Sequence, residues 1–305
     1  MRILVVRLSS MGDVIHALPA VASLKHSFPH SHVSWVIRTR WMPLLEGNPF
    51  VDEVIPFERT LRGIIATRRK LREIRFDLAI DFQGLLQSAL VAAAARPDRI
   101  AGFHRSQVRE KAAALFYSTC VEARMQHVVD RNLELVAAAG ASSLLHTFSL
   151  PDGSPEGHLP DGKFILASPL AGWGSKQWPV EFYQELATRL DIPLVVNGPP
   201  DAADILSTIR GAHVHLSGIA GLIHATRRAQ AVVGVDSGPL HLAAALSKPG
   251  VAIFGPTDPL RNGPYGGTIR VLRGADVSTT YRRATGTHDS MRAISPQDVL
   301  EALPA

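Results

Sequence analysis

The sequence has very little cysteine and few aromatic residues. Cys120 is the single cysteine among 305 residues, which excludes an intramolecular disulfide. No group of cysteines and histidines has the spacing of a zinc site, and no D-x-D motif offers paired carboxylates to a metal ion. We therefore expect a cytoplasmic protein that uses no disulfide framework, no metal and no other cofactor.

Long apolar runs are also missing. No stretch of 18 apolar residues is present to span a bilayer, and the first residues lack the charged and apolar regions of a signal peptide. We expect no membrane-spanning helix and no exported form. A hydrophobic content of 46% with 19% charged residues is typical of a globular chain, and the length suits two domains.

Basic residues outnumber acidic ones, and they are unevenly distributed. The formal net charge is +5 and the pI is near 9.6, which favours anionic partners. The densest basic run lies in residues 59–75 and is either a solvated helix face or a surface for an anionic partner. No aromatic residues interleave with it, so we expect no nucleic-acid partner. Its members are Arg59, Arg62, Arg68, Arg69, Lys70, Arg72 and Arg75.

Short apolar runs alternate with helical patterns along the chain, which predicts parallel sheets with right-handed crossovers. The predicted strands are residues 3–6, 33–37, 51–56, 76–81, 164–167, 193–196, 231–235 and 250–254. The predicted helices are residues 14–24, 41–47, 85–95 and 295–303, with a basic helix before residue 76.

A segment rich in proline and glycine separates two such halves. Residues 150–162 contain three prolines and three glycines, which interrupt any regular element. We therefore predict two domains, residues 1–155 and residues 156–305.

The first predicted strand runs into a turn, residues 7–13 (RLSSMGD), and then into a helix. In parallel sheets such turns lie at the carboxyl ends of strands, where ligands bind. Asp13 is the only carboxylate in the first forty residues. It is either a helix cap, which aspartate favours, or a functional acid.

The second half repeats this pattern around Asp236. Residues 231–235 form a predicted strand, and a helix follows with Pro239 in its first turn. The free N–H groups of such a helix favour a phosphate, and Gly238 permits close approach of the backbone. Lys176 lies in a glycine-rich loop after another strand, from which it can reach a diphosphate; the spacing is not that of a Walker A loop.

Several separate motifs in the same order resemble the lipopolysaccharide heptosyltransferases of glycosyltransferase family 9. The resemblance covers nearly the whole chain and is strongest to the type I enzymes. It is carried by R-x-S-S-M-G-D-V-I-H at residues 7–16, DFQGL at 81–85, Arg109 before LFY at 115–117, KQWP at 176–179, VDSGPLH at 235–241 and FGPTDP at 254–259.

The resemblance implies a GT-B fold, in which two Rossmann-like domains with parallel sheets face a central cleft. It implies an acceptor-binding amino-terminal domain and a nucleotide-sugar-binding carboxyl-terminal domain. The implied reaction is metal-independent, inverting transfer of L-glycero-D-manno-heptose from ADP-heptose to Kdo of the lipopolysaccharide inner core, on Kdo-lipid A. The enzyme would be peripheral, at the cytoplasmic face of the inner membrane.

Three alternatives remain open at this point. One is another family 9 transferase that adds heptose to heptose. The second is a sugar-nucleotide 2-epimerase with the same two-domain fold. The third is a sugar-nucleotide-binding protein without catalysis.

The resemblance also implies roles for individual residues, with Asp13 as the general base and Lys176 stabilising the departing ADP. Ala171 and Gly172 stand where related enzymes carry threonines, so we expect backbone contacts to the donor there. The expected donor-binding residues are Gly172, Lys176, Asp236, Ser237, Gly238 and His241. The expected acceptor-binding residues are Arg7, Ser9, Ser10, Arg62, Arg68, Arg69, Asp81, Gln83, Arg109 and Arg131.

Overall fold

The computed structural model describes residues 1–274, 277–282 and 284–304 and divides into two compact units. The first unit is Met1–Pro151 and the second is Asp152–Ala305. The predicted boundary, after residue 155, lies in the same proline- and glycine-rich segment.

The first unit is a six-stranded parallel sheet with the strand order β3-β2-β1-β4-β5-β6. Its strands are β1 (Arg2–Val6), β2 (His32–Arg38), β3 (Glu53–Phe57), β4 (Leu78–Asp81), β5 (Arg99–Phe103) and β6 (Thr119–Val121). Its helices are α1 (Met11–Ser27), α2 (Leu61–Arg72), α3 (Leu86–Ala94) and α4 (Val128–Ala138), with 3-10 segments at Thr39–Leu45 and Lys111–Phe116.

The second unit is also a six-stranded parallel sheet, with the order β12-β11-β10-β7-β8-β9. Its strands are β7 (Ile165–Ser168), β8 (Leu194–Gly198), β9 (His213–Leu216), β10 (Ala231–Val235), β11 (Gly250–Ile253) and β12 (Ile269–Leu272). Its helices are α5 (Val180–Arg189), α6 (Ala203–Ser207), α7 (Ile219–Arg228), α8 (Gly238–Ala245), α9 (Pro259–Asn262), α10 (Asp289–Arg292) and α11 (Pro296–Ala302), with 3-10 segments at Gly174–Lys176 and Pro200–Ala202.

The two sheets have the same Rossmann-like strand order. In each, the chain moves outward from a first strand, returns, and continues on that strand's other side. The direction of winding therefore reverses between β1 and β4 in the first unit, and between β7 and β10 in the second. Ligands of open parallel sheets bind at this reversal, at the carboxyl ends of the strands.

Burial on both faces explains why the inner strands are continuous apolar runs. Ile3, Leu4, Val5 and Val6 of β1 are completely buried. On one face α1 packs against α4. Because crossovers are right-handed and run in opposite directions from the reversal, α3 covers the other face. There α2, α3 and Lys111–Phe116 share a core cluster with the sheet.

Candidate functional site

Asp13 lies where β1 leads into α1, at the carboxyl edge of the first sheet. Ser10 is the N-cap of α1, and the Oδ2 atom of Asp13 accepts hydrogen bonds from the Ser10 N–H at 2.9 Å and the Ser10 hydroxyl at 2.7 Å. The Asp13 side chain nevertheless stays 40% exposed. The aspartate therefore caps the helix and remains accessible, so the two interpretations of this residue are compatible.

Arg7 fixes the other oxygen of this carboxylate. Its guanidinium forms a salt bridge with Oδ1 of Asp13 and donates a hydrogen bond to the Phe82 carbonyl. Partial burial raises the pKa of Asp13, but the Arg7 charge and the hydrogen bonds from Ser10 outweigh it, so the pKa lies below the ordinary 3.8. Arg7 was expected to bind an acceptor. Its side chain is buried and paired with Asp13, so its role within the protein is to hold that carboxylate in the charged form, and its contact with an acceptor stays a prediction.

Asp81 ends β4, beside β1, and is completely buried. Its Oδ1 atom accepts from the N–H groups of Gln83 at 2.8 Å and Gly84 at 3.3 Å. Its Oδ2 atom accepts from the hydroxyls of Ser88 at 2.8 Å and Tyr117 at 2.7 Å. Burial raises the pKa of Asp81, and these hydrogen bonds offset only part of that effect. Both oxygens of Asp81 accept hydrogen bonds within the protein, so this residue supports the turn, and its direct contact with an acceptor stays a prediction.

The turn that Asp81 organises contacts the Asp13 loop. The side-chain oxygen of Gln83 accepts a hydrogen bond from the Leu8 N–H at 2.8 Å. Because Asp81 fixes the backbone of Gln83, this bond connects the carboxyl ends of β4 and β1. The half-buried Gln83 thus supports the loop that holds Asp13.

The remaining predicted acceptor residues lie on several elements of the first unit. Ser9 is half-buried and Ser10 is exposed in the turn before α1, and Arg109 is exposed. Arg131 lies on α4, with its guanidinium carbon 5.4 Å from the centre of the Phe103 ring. Since Phe103 ends β5, Arg131 also lies near the carboxyl edge of the sheet.

Arg62, Arg68 and Arg69 are exposed on α2. A rise of about 1.5 Å per residue separates Arg62, in the first turn, from the other two by about 10 Å. Because α2 begins after β3 ends, Arg62 is the nearest of the three to the carboxyl edge. Arg69 also pairs with Glu73, at 3.4 Å.

Sequence reasoning missed Arg38, at the carboxyl end of β2. Its N–H donates to the Leu8 carbonyl at 3.2 Å, while Nε and Nη2 are buried without a hydrogen-bond partner among the described residues. Burial and the charges of Arg59 and Arg40 lower its pKa. Buried donors without acceptors are unusual and need an explanation, such as a bound anion. The signal was available, because Arg38 directly follows a predicted strand, as Arg7 does.

Lys176 and Asp236 meet at the reversal of the second sheet. The lysine comes from the 3-10 segment after β7, and the aspartate follows β10; Nζ lies 2.6 Å from Oδ2. His241 approaches the other oxygen of Asp236, with Nε2 at 3.6 Å from Oδ1. Burial raises the pKa of Asp236, but His241 and Lys176 together lower it well below the ordinary value. Lys176 also lies 4.3 Å from the centre of the Trp173 ring.

Three hydroxyls of the second unit are buried without a hydrogen-bond partner among the described residues. Ser237 is the N-cap of α8, Ser175 lies beside Lys176, and Thr257 follows β11. All three come from the carboxyl edge of the second sheet, where α8 also presents its first N–H groups. Hydroxyls and helix N–H groups are suited to phosphate and ribose oxygens. Sequence reasoning included Ser237 but missed Ser175 and Thr257, although Thr257 belongs to the motif at 254–259.

The two glycines of the Lys176 loop differ in whether packing within the protein leaves room for a side chain. A side chain at Gly174 would lie 1.8 Å from the Thr285 carbonyl, so protein packing requires glycine there. Gly172, the predicted donor contact, is exposed, and a side chain there would meet nothing within 4 Å. Packing within the protein therefore does not explain Gly172.

Two further properties concern metals and membranes. Across the described ranges, no group of three or more His, Cys, Asp or Glu residues is arranged to hold a metal ion. Among the helices of the same ranges, none combines the length and apolar character needed to cross a membrane.

Comparison with known proteins assigns the family. The sequence pattern of glycosyltransferase family 9 (heptosyltransferase) matches residues 64–289. Lipopolysaccharide heptosyltransferase 1 of Pseudomonas aeruginosa is 32% identical, covering 87% of this chain and 82% of its own, and that of Escherichia coli K12 is 30% identical, covering 90% and 93%. The solved structure of E. coli heptosyltransferase WaaC with ADP has a TM-score of 0.77 at 27% identity, covering 99% of this chain and 98% of its own.

The two parallel sheets and this structural likeness confirm the GT-B fold class. Family membership sets aside the interpretations as an epimerase or a non-catalytic binding protein. The chain belongs to glycosyltransferase family 9, the heptosyltransferases, and is a glycosyltransferase.

Proposed function

We propose that this glycosyltransferase transfers L-glycero-D-manno-heptose from ADP-heptose to Kdo of the lipopolysaccharide inner core, on Kdo-lipid A. The names of its relatives support the sugar and the pathway stage, and the ADP in the related structure supports the nucleotide. A lipid-linked acceptor gives the enzyme a peripheral location at the cytoplasmic face of the inner membrane. The observation that carries the chemistry is the charged, accessible Asp13 between Ser10 and Arg7.

Asp13 is the general base in this proposal. Its carboxylate takes the proton of a Kdo hydroxyl as that oxygen attacks the anomeric carbon of heptose. The bond between the anomeric carbon and the diphosphate oxygen breaks on the opposite face, and ADP leaves with the electron pair. The anomeric configuration is therefore inverted. Arg7 keeps Asp13 deprotonated, and Ser10 fixes its orientation.

The second unit holds the donor. Lys176 carries the positive charge that a departing diphosphate requires, and the first N–H groups of α8, at Gly238, add partial positive charge. Ser237 offers a hydroxyl to the same phosphates, and Gly172 leaves room for the donor beside the backbone. Asp236 holds Lys176 in place, and His241 approaches the other oxygen of Asp236. We assign Asp236, His241 and Thr257 to contacts with donor hydroxyls.

Arginines of the first unit bind the carboxylates and phosphates of the acceptor. The planar guanidinium pairs with either group through two hydrogen bonds. Arg38 is the strongest addition, because its buried Nε and Nη2 donors have no acceptor within the part of the chain that the structure describes. We assign the same role to Arg62, Arg109 and Arg131, and a weaker one to Arg68 and Arg69 along α2. Ser9 and Ser10 line the approach to Asp13.

Incubation with ADP-heptose and Kdo-lipid A tests the proposal directly. We expect ADP release matched by an acceptor that gains the mass of one heptose. UDP- and GDP-sugars, and an acceptor that already carries the first heptose, serve as matched controls. Preference for the heptosylated acceptor would favour the alternative, transfer of heptose to heptose. No transfer to either acceptor would contradict the proposal.

A further inference from the structure

Large aliphatic side chains are exposed on two neighbouring helices of the first unit. Leu61, Ile64 and Ile65 of α2 and Leu86 and Leu90 of α3 are between 39% and 76% exposed. The two helices pack against each other on the same face of the sheet. Single exposed leucines are ordinary, but five on adjacent helices form an apolar patch, which usually marks an interaction surface. We call these five residues the apolar patch.

The exposed side of α2 is organised as a stripe. Leu61, Ile64, Ile65, Arg68 and Arg72 follow the spacing of one helical face. Thr67 and Leu71 are buried and lie on the adjacent side of the helix, next to Ile64. The outward face is therefore aliphatic in its first two turns and cationic in its last turns, so it can present apolar area and positive charge to the same partner.

The positive charges beside the patch are only partly compensated. Lys70 pairs with Glu53 at 2.9 Å and Arg69 with Glu73 at 3.4 Å. The neighbouring charge of Arg68 instead lowers the pKa of Arg72, with smaller contributions from burial and then from the charge of Arg96. This surface therefore has charge left over for an anionic partner.

We propose that the apolar patch docks on an anionic lipid bilayer, with Arg68, Arg72 and Arg96 against the headgroups. This inference depends on the proposed function in one respect, namely that the acceptor is embedded in a membrane. A second copy of the chain is a poorer occupant, because two such faces would bring arginine against arginine. A bilayer matches both parts of the surface, since acyl chains accept the aliphatic residues and anionic headgroups the arginines.

The patch lies near the edge that carries Asp13. The first turns of α2 and α3 follow the carboxyl ends of β3 and β4, and Asp13 follows the carboxyl end of β1. Parallel strands present these ends at one edge of the sheet. Docking through the patch would bring the edge with Asp13 to an acceptor embedded in the bilayer.

Vesicle binding by the full chain tests the docking surface without requiring catalysis. Co-sedimentation should show binding to phosphatidylglycerol vesicles at low salt and weaker binding to phosphatidylcholine vesicles. The variant Leu61→Ser/Ile64→Ser/Ile65→Ser should bind both at least about tenfold more weakly, because it removes most of the apolar area on α2. The matched control is Leu260→Ser, which alters a side chain 64% exposed in the second unit and should bind as wild type.

A charge variant separates the two contributions. Arg72→Gln/Arg96→Gln should weaken binding to phosphatidylglycerol about tenfold at low salt, and binding to phosphatidylcholine should not change. Circular dichroism and the melting temperature of each variant should match wild type, because these side chains are exposed.

Three results would overturn the proposal. The first is a wild-type chain that does not bind either vesicle. The second is a folded triple-serine variant that binds both vesicles like wild type. The third is a concentration-dependent dimer, seen by light scattering, that the triple-serine variant abolishes, because the patch would then be covered by a second copy. Loss of transfer activity with normal vesicle binding would instead contradict the proposed function and leave the docking surface supported.

Discussion

At Asp13, one carboxylate serves the helix and the proposed chemistry together. One oxygen accepts two hydrogen bonds from Ser10 and the other faces Arg7, yet the side chain remains accessible. Aspartate at the start of a helix is stabilised by the helix dipole even without function. Stability and catalysis therefore have to be separated by experiment.

Replacing Asp13 by asparagine separates them. Asparagine can still accept a hydrogen bond from the Ser10 N–H, so we expect a folded protein with unchanged affinity for ADP in calorimetry. Turnover should fall by about 10² to 10⁴, the usual contribution of general-base catalysis. A variant with nearly wild-type turnover would exclude Asp13 as the base.

The pH dependence of activity reports the contribution of Arg7. Its charge lowers the pKa of Asp13, so the base is deprotonated throughout the neutral range. In Arg7→Gln that pKa should rise, and the acidic limb of the kcat profile should move to higher pH, with recovery at alkaline pH. Arg7→Lys keeps a charge and should restore much of the wild-type profile. An unchanged acidic limb in Arg7→Gln would mean that Arg7 is only structural.

The salt bridge between Arg7 and Asp13 should also make the stability of the protein depend on pH. Because the pKa of Asp13 is lower in the folded state than in the unfolded state, its charged form stabilises the fold at pH values above the unfolded-state pKa. This stabilisation is lost as the pH falls through the folded-state pKa. The difference in stability between wild type and Arg7→Gln should therefore be full at neutral pH and shrink below about pH 4.

Lys176 should matter for ligands that carry a diphosphate. Because charged hydrogen bonds contribute about 1.5 to 3 kcal/mol, Lys176→Met should weaken ADP binding about tenfold or more. Affinity for adenosine, measured in the same titrations, should not change. Lys163→Met removes an exposed lysine of the same unit and is the matched control. Equal losses for ADP and adenosine would show a general disturbance of the site.

Individual residues also show which features of the site could not be predicted from the sequence. The rule that strand ends carry ligands selected Arg7, Asp13, Asp81 and Asp236, and all four lie at the carboxyl edges of their sheets. It gave no direction for the side chains. Asp81 points into the core because Ser88 and Tyr117, distant in sequence, supply hydroxyls to it. Such partners become visible only in three dimensions.

At the scale of elements, the inner strands were predictable and several outer ones were not. All eight predicted strands are present, although the third is Glu53–Phe57 instead of residues 51–56. The strands β6, β9 and β12 were missed because they are short and only partly buried, so their apolar pattern is weak. The strand β5 was missed although it is largely buried, because only the isoleucine and the phenylalanine of its sequence, RIAGF, have high strand propensity. Residues 41–47 were expected as a helix, and the structure instead has a 3-10 segment that ends two residues earlier, at Thr39–Leu45.

The positions of the arginines along α2 predict different contributions to acceptor binding. Arg62 lies in the first turn, near the edge with Asp13, whereas Arg68 and Arg69 lie about 10 Å further along. Arg62→Glu should raise the KM for a deacylated, soluble acceptor more than Arg68→Glu/Arg69→Glu does, and the KM for ADP-heptose should stay constant. Each effect should shrink as the ionic strength rises, because these side chains are exposed. Wild-type acceptor KM values at low salt in both variants would reduce this run to a solvated helix face.

At the scale of the whole molecule, local patterns predicted two parallel sheets and the segment that separates them. The order of strands was not predictable from those patterns, because each strand must choose neighbours that are distant in sequence. That order decides which strand ends lie side by side, and so which residues share a site. It brings Lys176 to Asp236, 60 residues apart, and Leu8 to Gln83, 75 residues apart.

For the reaction of the whole molecule, the way in which the diphosphate charge is neutralised leads to a prediction about metal ions. Glycosyl transfer must neutralise a departing diphosphate, and a divalent cation is one way to do so. The sequence has no D-x-D motif, and the proposed donor groups are a lysine, a helix start and hydroxyls. Activity should therefore remain within about twofold of the untreated enzyme after exhaustive EDTA treatment and removal of divalent ions, as measured by ADP release. Asp13→Asn provides the background rate. Complete loss that Mg²⁺ or Mn²⁺ restores would mean that Lys176 and α8 do not stabilise the diphosphate by themselves.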